Sequence, residues 1–347
     1  MHMKPYERYR NYLAGKPVDR APVYEQAGWW HLTVERWISE GMPAFSDHLE
    51  ITEYFGLDPV IAFWFHPFTE KTPEPKAYGG GIIETEEDYD RDVRHTLFKP
   101  VDVILNEGYL DDQKKLRAEK GAICGFGMPG PFWYPRNLFG IENHLFSFYD
   151  EPELYKRVVD EYADWVEALI RGILSRYEMD FVYFSEDMSY NGGSMISKAL
   201  FDEFLAPFYR RIVPIVHEFG VLVSIDSDGN ITDPVDWYGS VGADLMSPLE
   251  RQAGVDVSTY IDKQPEMGFV GHFDKMCMKF GEAAMRKEFE RILPSMNRGK
   301  LIPSVDHQTP PDVSLENYKI YVSLLKEYAG KIDCSRKGIL PCRAYAK

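Results

Sequence analysis

Cysteine is scarce in this chain: four occur among 347 residues, at Cys124, Cys277, Cys334 and Cys342. They lie far apart and show no CxxC spacing, which excludes a disulfide framework and points to a reducing cytoplasm. Positive charge is also short. Lys and Arg number 39 against 55 Asp and Glu, for a formal net charge of −16. Phosphate binding needs a basic surface, so neither nucleic acid nor an anionic membrane is expected as a partner. Long apolar runs are missing too. No window approaches the ~18 uninterrupted apolar residues of a membrane span. The opening residues Met1–Arg8 are polar and lack the apolar core of a signal peptide. No Pro/Gly/Ser linker, charge block or fixed-period repeat divides the chain, which reads as one domain over 1–347 with a short helical extension over about 1–20.

What is present is an alternation of short apolar runs with amphipathic stretches, and 44% of the residues are hydrophobic, enough for a sizeable core. Strands are expected at Ala21–Glu25, Val60–Phe63, Ala122–Met128, Phe181–Ser185, Val221–Asp226, Ala243–Ser247, Met267–His272 and Leu301–Asp306. Helices are expected at Tyr6–Ala14, Ala44–Phe55, Leu105–Lys120, Asp150–Arg176, Lys198–Glu218, Asp274–Leu293 and Asp312–Tyr328, with Asp150 and Asp312 as N-caps. Eight strands alternating with helices imply an α/β fold of the (β/α)8 TIM barrel type. A doubly wound sheet competes, but no Gly-rich turn joins a first strand to its helix. Gly79-Gly80-Gly81 reads as part of an inserted hairpin.

Three strands stop abruptly in acids or histidine: Phe184-Ser185-Glu186-Asp187, Ile225-Asp226-Ser227-Asp228, and Val305-Asp306-His307. In a barrel that edge carries the chemistry. Asp226 and Asp228 point the same way if the strand persists through both, and two such carboxylates repel unless one is protonated or a cation intervenes. The competing reading is an Asx turn with Gly229 left-handed and Asp228 capping the next helix. Glu186 is the better candidate of its pair for a general acid–base or ligand role, and Asp187 the better cap. His307 is placed either to ligate a metal or to be a hydrogen-bonded structural histidine. Asp274 reads as an N-cap, and Glu250 as a further carboxylate of the group. Aromatics crowd the same loops, so Trp29, Trp30, Trp133 and Tyr190 are expected to contact substrate.

These stretches resemble the uroporphyrinogen decarboxylase superfamily. The resemblance runs through Tyr9–Ala21, Glu186–Gly193, Ser227–Ile231, Pro248-Leu249-Glu250 and Pro303–Asp312. It implies a (β/α)8 barrel, and either decarboxylation or corrinoid-linked methyl transfer. The decarboxylases carry Arg-Gln-Ala-Gly-Arg after the first strand, where this chain has Glu25-Gln26-Ala27-Gly28-Trp29. Losing both arginines removes the partners of a polycarboxylate tetrapyrrole, which excludes porphyrinogen decarboxylation. The zinc methyltransferases carry His-x-Cys-Gly and a later Cys; carried over, these fall on Asp226, Asp228 and His307. The resemblance therefore implies a zinc or other divalent site at those three residues, harder than a thiolate site. It implies a small-molecule methyl donor, a corrinoid protein as acceptor, and Glu186, Asp226 and His307 as catalytic groups. The alternatives are a metal-independent decarboxylase or lyase on a small carboxylated substrate, and a non-catalytic corrinoid-binding relative.

Overall fold

The computed structural model describes residues 3–346. Seven parallel strands form one curled sheet in sequence order. They are β1 (Val60–Trp64), β2 (Ile123–Pro129), β3 (Phe181–Ser185), β4 (Leu222–Asp226), β5 (Leu245–Ser247), β6 (Gly268–Phe273) and β7 (Leu301–Val305). Each of the seven matches an expected run, because buried parallel strands read as short apolar, β-branched stretches. The eighth does not form. Ala21–Glu25 takes no regular structure and joins no ladder. Single contacts tie it to its surroundings: the Asp58 amide donates to the Val23 carbonyl (2.7 Å), and the Gln26 amide donates to Ser304 Oγ (3.1 Å). The next residues along touch the far side through the isolated parallel bridge Trp29–Thr309. Pro22 has no amide hydrogen to give, which weakens any ladder through this segment.

Helices cover the outer face. The longest, Pro152–Leu174, keeps an apolar face from Leu154 to Ile173 against the sheet. Its N-cap is Glu151, not Asp150, which closes the preceding helix Ile141–Asp150. The last long helix starts at Leu315, capped by Ser314 accepting from the Asn317 amide, so Asp312 is not its cap. Asp274 does cap, accepting from the Met276 amide at a 3₁₀ turn. Among the described residues the Gly79–Gly81 region forms no hairpin; it is tied by the isolated bridge Gly80–Gly140 and by the Ile141 amide donating to the Gly79 carbonyl (2.9 Å). A short hairpin appears instead at Ser189–Tyr190 and Gly193–Ser194, where the sequence suggested a loop. Among the described residues no helix is long and apolar enough to cross a membrane.

The inner face decides where function sits. Barrel interiors are ordinarily filled by layers of bulky branched side chains. Here many inward positions are small: Ala62, Gly125, Gly127, Ser185, Ser224 and Ser247. A Cβ on Gly127 would stand 2.1 Å from the Tyr183 ring, and one on Gly125 would stand 2.4 Å from that of Phe181. The two glycines thus let large rings of β3 lie flat across β2, and the remaining space stays open.

Candidate functional site

That space is a cavity of about 440 Å³. At the carboxyl edge of the strands it is lined by Ser185, Asp226, Ser247, His307, Gln308 and Gln26. Asp226 ends β4 and pairs in register with Ser185. Its carboxyl accepts from Ser185 Oγ (3.0 Å) and from Gln26 Nε2 (3.3 Å). Burial, and next the charge of Asp187, raise its pKa from the ordinary 3.8 to about 7. A carboxylic acid in the cavity wall therefore holds its proton near neutrality. Among the described residues no Lys or Arg lines the cavity.

Asp228 lies past the end of β4 and does not line the cavity. Its carboxylate is 3.7 Å from His307 Nε2. Burial, followed by Asp187, Glu250 and Asp226, pushes its pKa up to about 8. The β4 strand ends before Asp228, so the expected shared direction with Asp226 is lost. Gly229 is left-handed (φ +78°) as the turn reading required, and the hairpin backbone at Tyr190 would stand 2.8 Å from any Cβ there. Asp228 caps no helix, however; the N-cap of the next one is Asp233. Asp187 adopts φ +42°, and its carboxylate accepts from the Asp228 amide (3.2 Å). Burial lowers the pKa of His307 and so favours the neutral imidazole. Lys275 is drawn to Glu250 (3.2 Å) and Asp306 (3.9 Å) at the same edge.

The three residues expected to hold a metal are thus split between the cavity wall and the rim. Asp226 is hydrogen-bonded to Ser185 and Gln26, apart from the Asp228–His307 pair. Among the described residues no group of three or more His, Cys, Asp or Glu side chains is set to hold a metal ion. As arranged, these donors do not fit the metal site that the resemblance implies.

Glu186 is not in the cavity either. It is fully buried behind β3, accepting from the Phe132 amide (2.9 Å), the Trp133 amide (3.3 Å), Tyr209 Oη (2.5 Å) and Tyr238 Oη (3.3 Å). Burial raises its pKa to about 7, but four donors enclose it and Gly130 packs against the carboxyl group. The expected aromatic contacts scatter. Trp29 stacks on His48 (5.8 Å, 10°) beside a smaller pocket. Trp30 is 42% exposed and Tyr190 57% exposed. Trp133 lines a separate groove of about 650 Å³, with Arg136 4.5 Å over its ring.

Sequence reasoning missed Gln26, Ser185, Ser247 and Tyr183 as lining residues. The available signal was period 2: Phe181, Tyr183 and Ser185 share one face of β3, and Ser224 and Asp226 share one face of β4. Glu25, where the decarboxylases have arginine, turns away from the cavity. It accepts from Ser304 Oγ (2.8 Å), the Val305 amide (3.2 Å) and Tyr318 Oη (2.9 Å).

Two solved structures share this architecture along nearly their whole lengths. A methyltransferase from Methanosarcina mazei is 16% identical, with 94% of this chain and 99% of that one covered at a TM-score of 0.64. A B12-independent methionine synthase from a Shewanella species is 13% identical, with 91% and 97% covered at a TM-score of 0.51. At such identities the likeness concerns the fold. No curated protein sequence matches significantly. Residues 110–328, more than half of the chain, match the profile of the family described as uroporphyrinogen decarboxylase (URO-D), whose fold is the TIM barrel. The chain belongs to the uroporphyrinogen decarboxylase family.

Proposed function

We propose that this chain is a methyltransferase that takes a methyl group from a small, uncharged methylated substrate, with Asp226 as the acid that frees the leaving heteroatom. One observation carries the reading: a cavity inside the barrel holds a carboxyl group that burial favours in its protonated form near neutral pH, on a wall with no Lys or Arg among the described residues. A substrate carboxylate would find no cationic partner there, which argues against the decarboxylase reading. It also agrees with the exchange of the decarboxylases' two arginines for Glu25 and Trp29.

The chemistry is a displacement at carbon. An electron pair of the acceptor forms the new bond to the methyl carbon while the methyl–heteroatom bond breaks, and that bonding pair stays on the heteroatom. Asp226 hydrogen-bonds the heteroatom and passes its proton to it as charge develops. Ser185 and Gln26 fix the carboxyl in place, and their donated hydrogen bonds stabilise the carboxylate left behind. His307, whose burial favours the neutral imidazole, would be the rim group that takes a proton from solvent. In this reading the acceptor would be a corrinoid on a partner protein, and the corrinoid would supply the nucleophile.

The test is single-turnover transfer from a panel of O-, N- and S-methyl donors to free reduced cobalamin, followed by absorbance. Wild-type protein is expected to transfer from at least one donor, and Asp226→Asn to lose the transfer. Full activity in Asp226→Asn would remove the acid. Release of CO₂ from carboxylated compounds without any methyl transfer would replace the reading with a lyase.

A further inference from the structure

A second cavity, of about 380 Å³, lies at the amino ends of the strands, at the opposite end of the sheet from Asp226. Three parts of the chain build it. They are the start of the helix Pro5–Leu13 with Lys4 before it, the helix Tyr109–Lys120 that leads into β2, and the turn Arg176–Met179 that leads into β3. Among the described residues, none lines both this cavity and the one that holds Asp226.

The charge of this wall is opposite to that of the chain. The formal net charge is −16, yet four cations, Lys4, Lys114, Arg117 and Arg176, face one acid, Glu178. Arg117 is already engaged: it donates to Asp180 (2.5 Å), lies 3.6 Å from Glu178, and covers the Tyr6 ring at 4.0 Å. Among the described residues Lys4, Lys114 and Arg176 make no ion pair, so their charge is left for something else. Gln113 adds an independent signal. It is 1% exposed, and its Nε2 donates to the Ile61 carbonyl (2.8 Å) and the Gly125 carbonyl (3.1 Å). Both partners are acceptors, which fixes the amide's orientation and leaves Oε1 as an acceptor. That oxygen has no partner among the described residues. Buried acceptors are normally satisfied, so one left free on a residue of a cavity wall calls for a ligand donor. At roughly 30 Å³ per water-sized group, the volume suits a ligand of about a dozen non-hydrogen atoms.

We propose that this cavity binds a small organic anion bearing a hydroxyl or amine, with Lys114 and Arg176 holding its carboxylate or phosphate and Gln113 Oε1 accepting from its donor. Leu110, Tyr177 and Met179 supply apolar wall for the carbon skeleton. The occupant lies against the pair of Arg117 with Asp180, the residue just before β3, so binding to the folded chain also raises its melting temperature. A site built to hydrogen-bond a polar atom rejects the analogue lacking it, because the buried acceptor is then left unpaired. The site is separate from the methyl-transfer reading and stands or falls without it.

The experiment is calorimetric titration of the full chain at constant ionic strength with two pairs of probes. Glycerol 3-phosphate is set against propyl phosphate, and citrate against tricarballylate; in each pair the second compound lacks the hydroxyl. The pair that binds identifies the anion as phosphate or carboxylate. Within it the hydroxylated member is expected to bind about tenfold more tightly or better. Lys114 and Arg176 are exposed, so Lys114→Glu/Arg176→Glu should keep the unliganded melting temperature while weakening binding at least tenfold. Gln113→Met should level the two members of the pair; the wild-type ranking decides if that variant folds poorly. No binding by either pair overturns the proposal. So do equal affinities within the pair that binds, undiminished affinity in the charge-reversed variant, and a hydroxyl preference that survives in folded Gln113→Met.

Discussion

The two ends of the sheet treat their carboxylates in opposite ways. At the amino ends of the strands, Asp58, Asp180 and Asp244 each stand just before a strand and are 4%, 0% and 0% exposed. Each is met by a cation or imidazole and a backbone amide. Asp58 accepts from Arg8 (3.0 Å), Arg20 (2.7 Å) and the Val23 amide (2.9 Å). Asp180 accepts from Arg117 (2.5 Å), Arg10 (2.5 Å) and the Cys124 amide (2.8 Å). Asp244 accepts from the Val223 amide (2.8 Å) and lies 2.7 Å from His217 Nε2. At the carboxyl ends, Asp187, Asp226 and Asp228 crowd one another without an ion pair to Lys or Arg, and all three have raised pKa values. The paired end stabilises the fold; at the other end burial and neighbouring acids favour the protonated forms of Asp226 and Asp228. Glu186 shows that a raised pKa alone does not mark a reactive group, because its four donors shut it away from any substrate.

The strongest way to break this contrast is Asp226→Asn. Loss of a general acid is expected to lower methyl transfer by roughly 10²–10⁴-fold. Thermal unfolding should change little or improve, since the change removes a repulsive carboxyl; single-turnover rates and a melting curve check both. The opposite pattern is expected at the other end. Asp180→Ala leaves Arg117 and Arg10 without their buried partner and should cost about 3–5 kcal/mol in denaturant unfolding. Glu186→Gln keeps the shape but turns an acceptor toward donors with an amide group, and should cost about 1–3 kcal/mol without a matching drop in the rate of the folded fraction.

A pH titration sharpens the same comparison. Asp226 ionises near 3.8 ordinarily and near 7 when folded, and Asp228 rises to about 8. The folded state thus keeps protons that the unfolded chain releases. The stability these groups contribute is full below their unfolded pKa and is lost as pH rises through the folded values. Unfolding free energy should therefore fall between about pH 4 and 8, and the fall should be shallower in Asp226→Asn. Turnover should decline above about pH 7 as the acid ionises. The smallest effect is expected at Trp30→Ala. That side chain is exposed and outside the cavity, so stability should change by no more than about 0.5 kcal/mol and methyl transfer should persist.

One stretch of the resemblance, Tyr9–Ala21, lies outside the matched residues 110–328 and holds ion pairs. Within Tyr9–Ala21, Arg10 holds Asp180, Asp19 takes Arg8, and Arg20 holds Asp58. Those residues tie the first helix and the segment after it to the amino ends of the strands. The strand ends were legible for a different reason: apolar runs that stop in acids are local patterns, and local patterns survive in sequence. Which of those acids meets a substrate was not legible. Glu186 and Asp226 look alike in sequence, and the Glu186 amide even donates to the Asp226 carbonyl (2.8 Å), yet their side chains go to opposite sides of the sheet.

By itself the sequence determined seven of the strands, the parallel α/β order, the acidic strand ends and the absence of the arginines that a polycarboxylate needs. Those depend on hydrophobic period, strand length and residue type, all of which are local. Only the tertiary structure decided that Ala21–Glu25 stays out of the ladder, that Asp226 faces the cavity while Asp228 and His307 stand at its rim, and that Glu186 is sealed. Each of these turns on which side chain a neighbouring strand or helix places opposite. Gly127 against Tyr183, Gly130 against Glu186 and Gln26 against Asp226 are contacts between residues about 50 to 200 positions apart. No period along the chain encodes them.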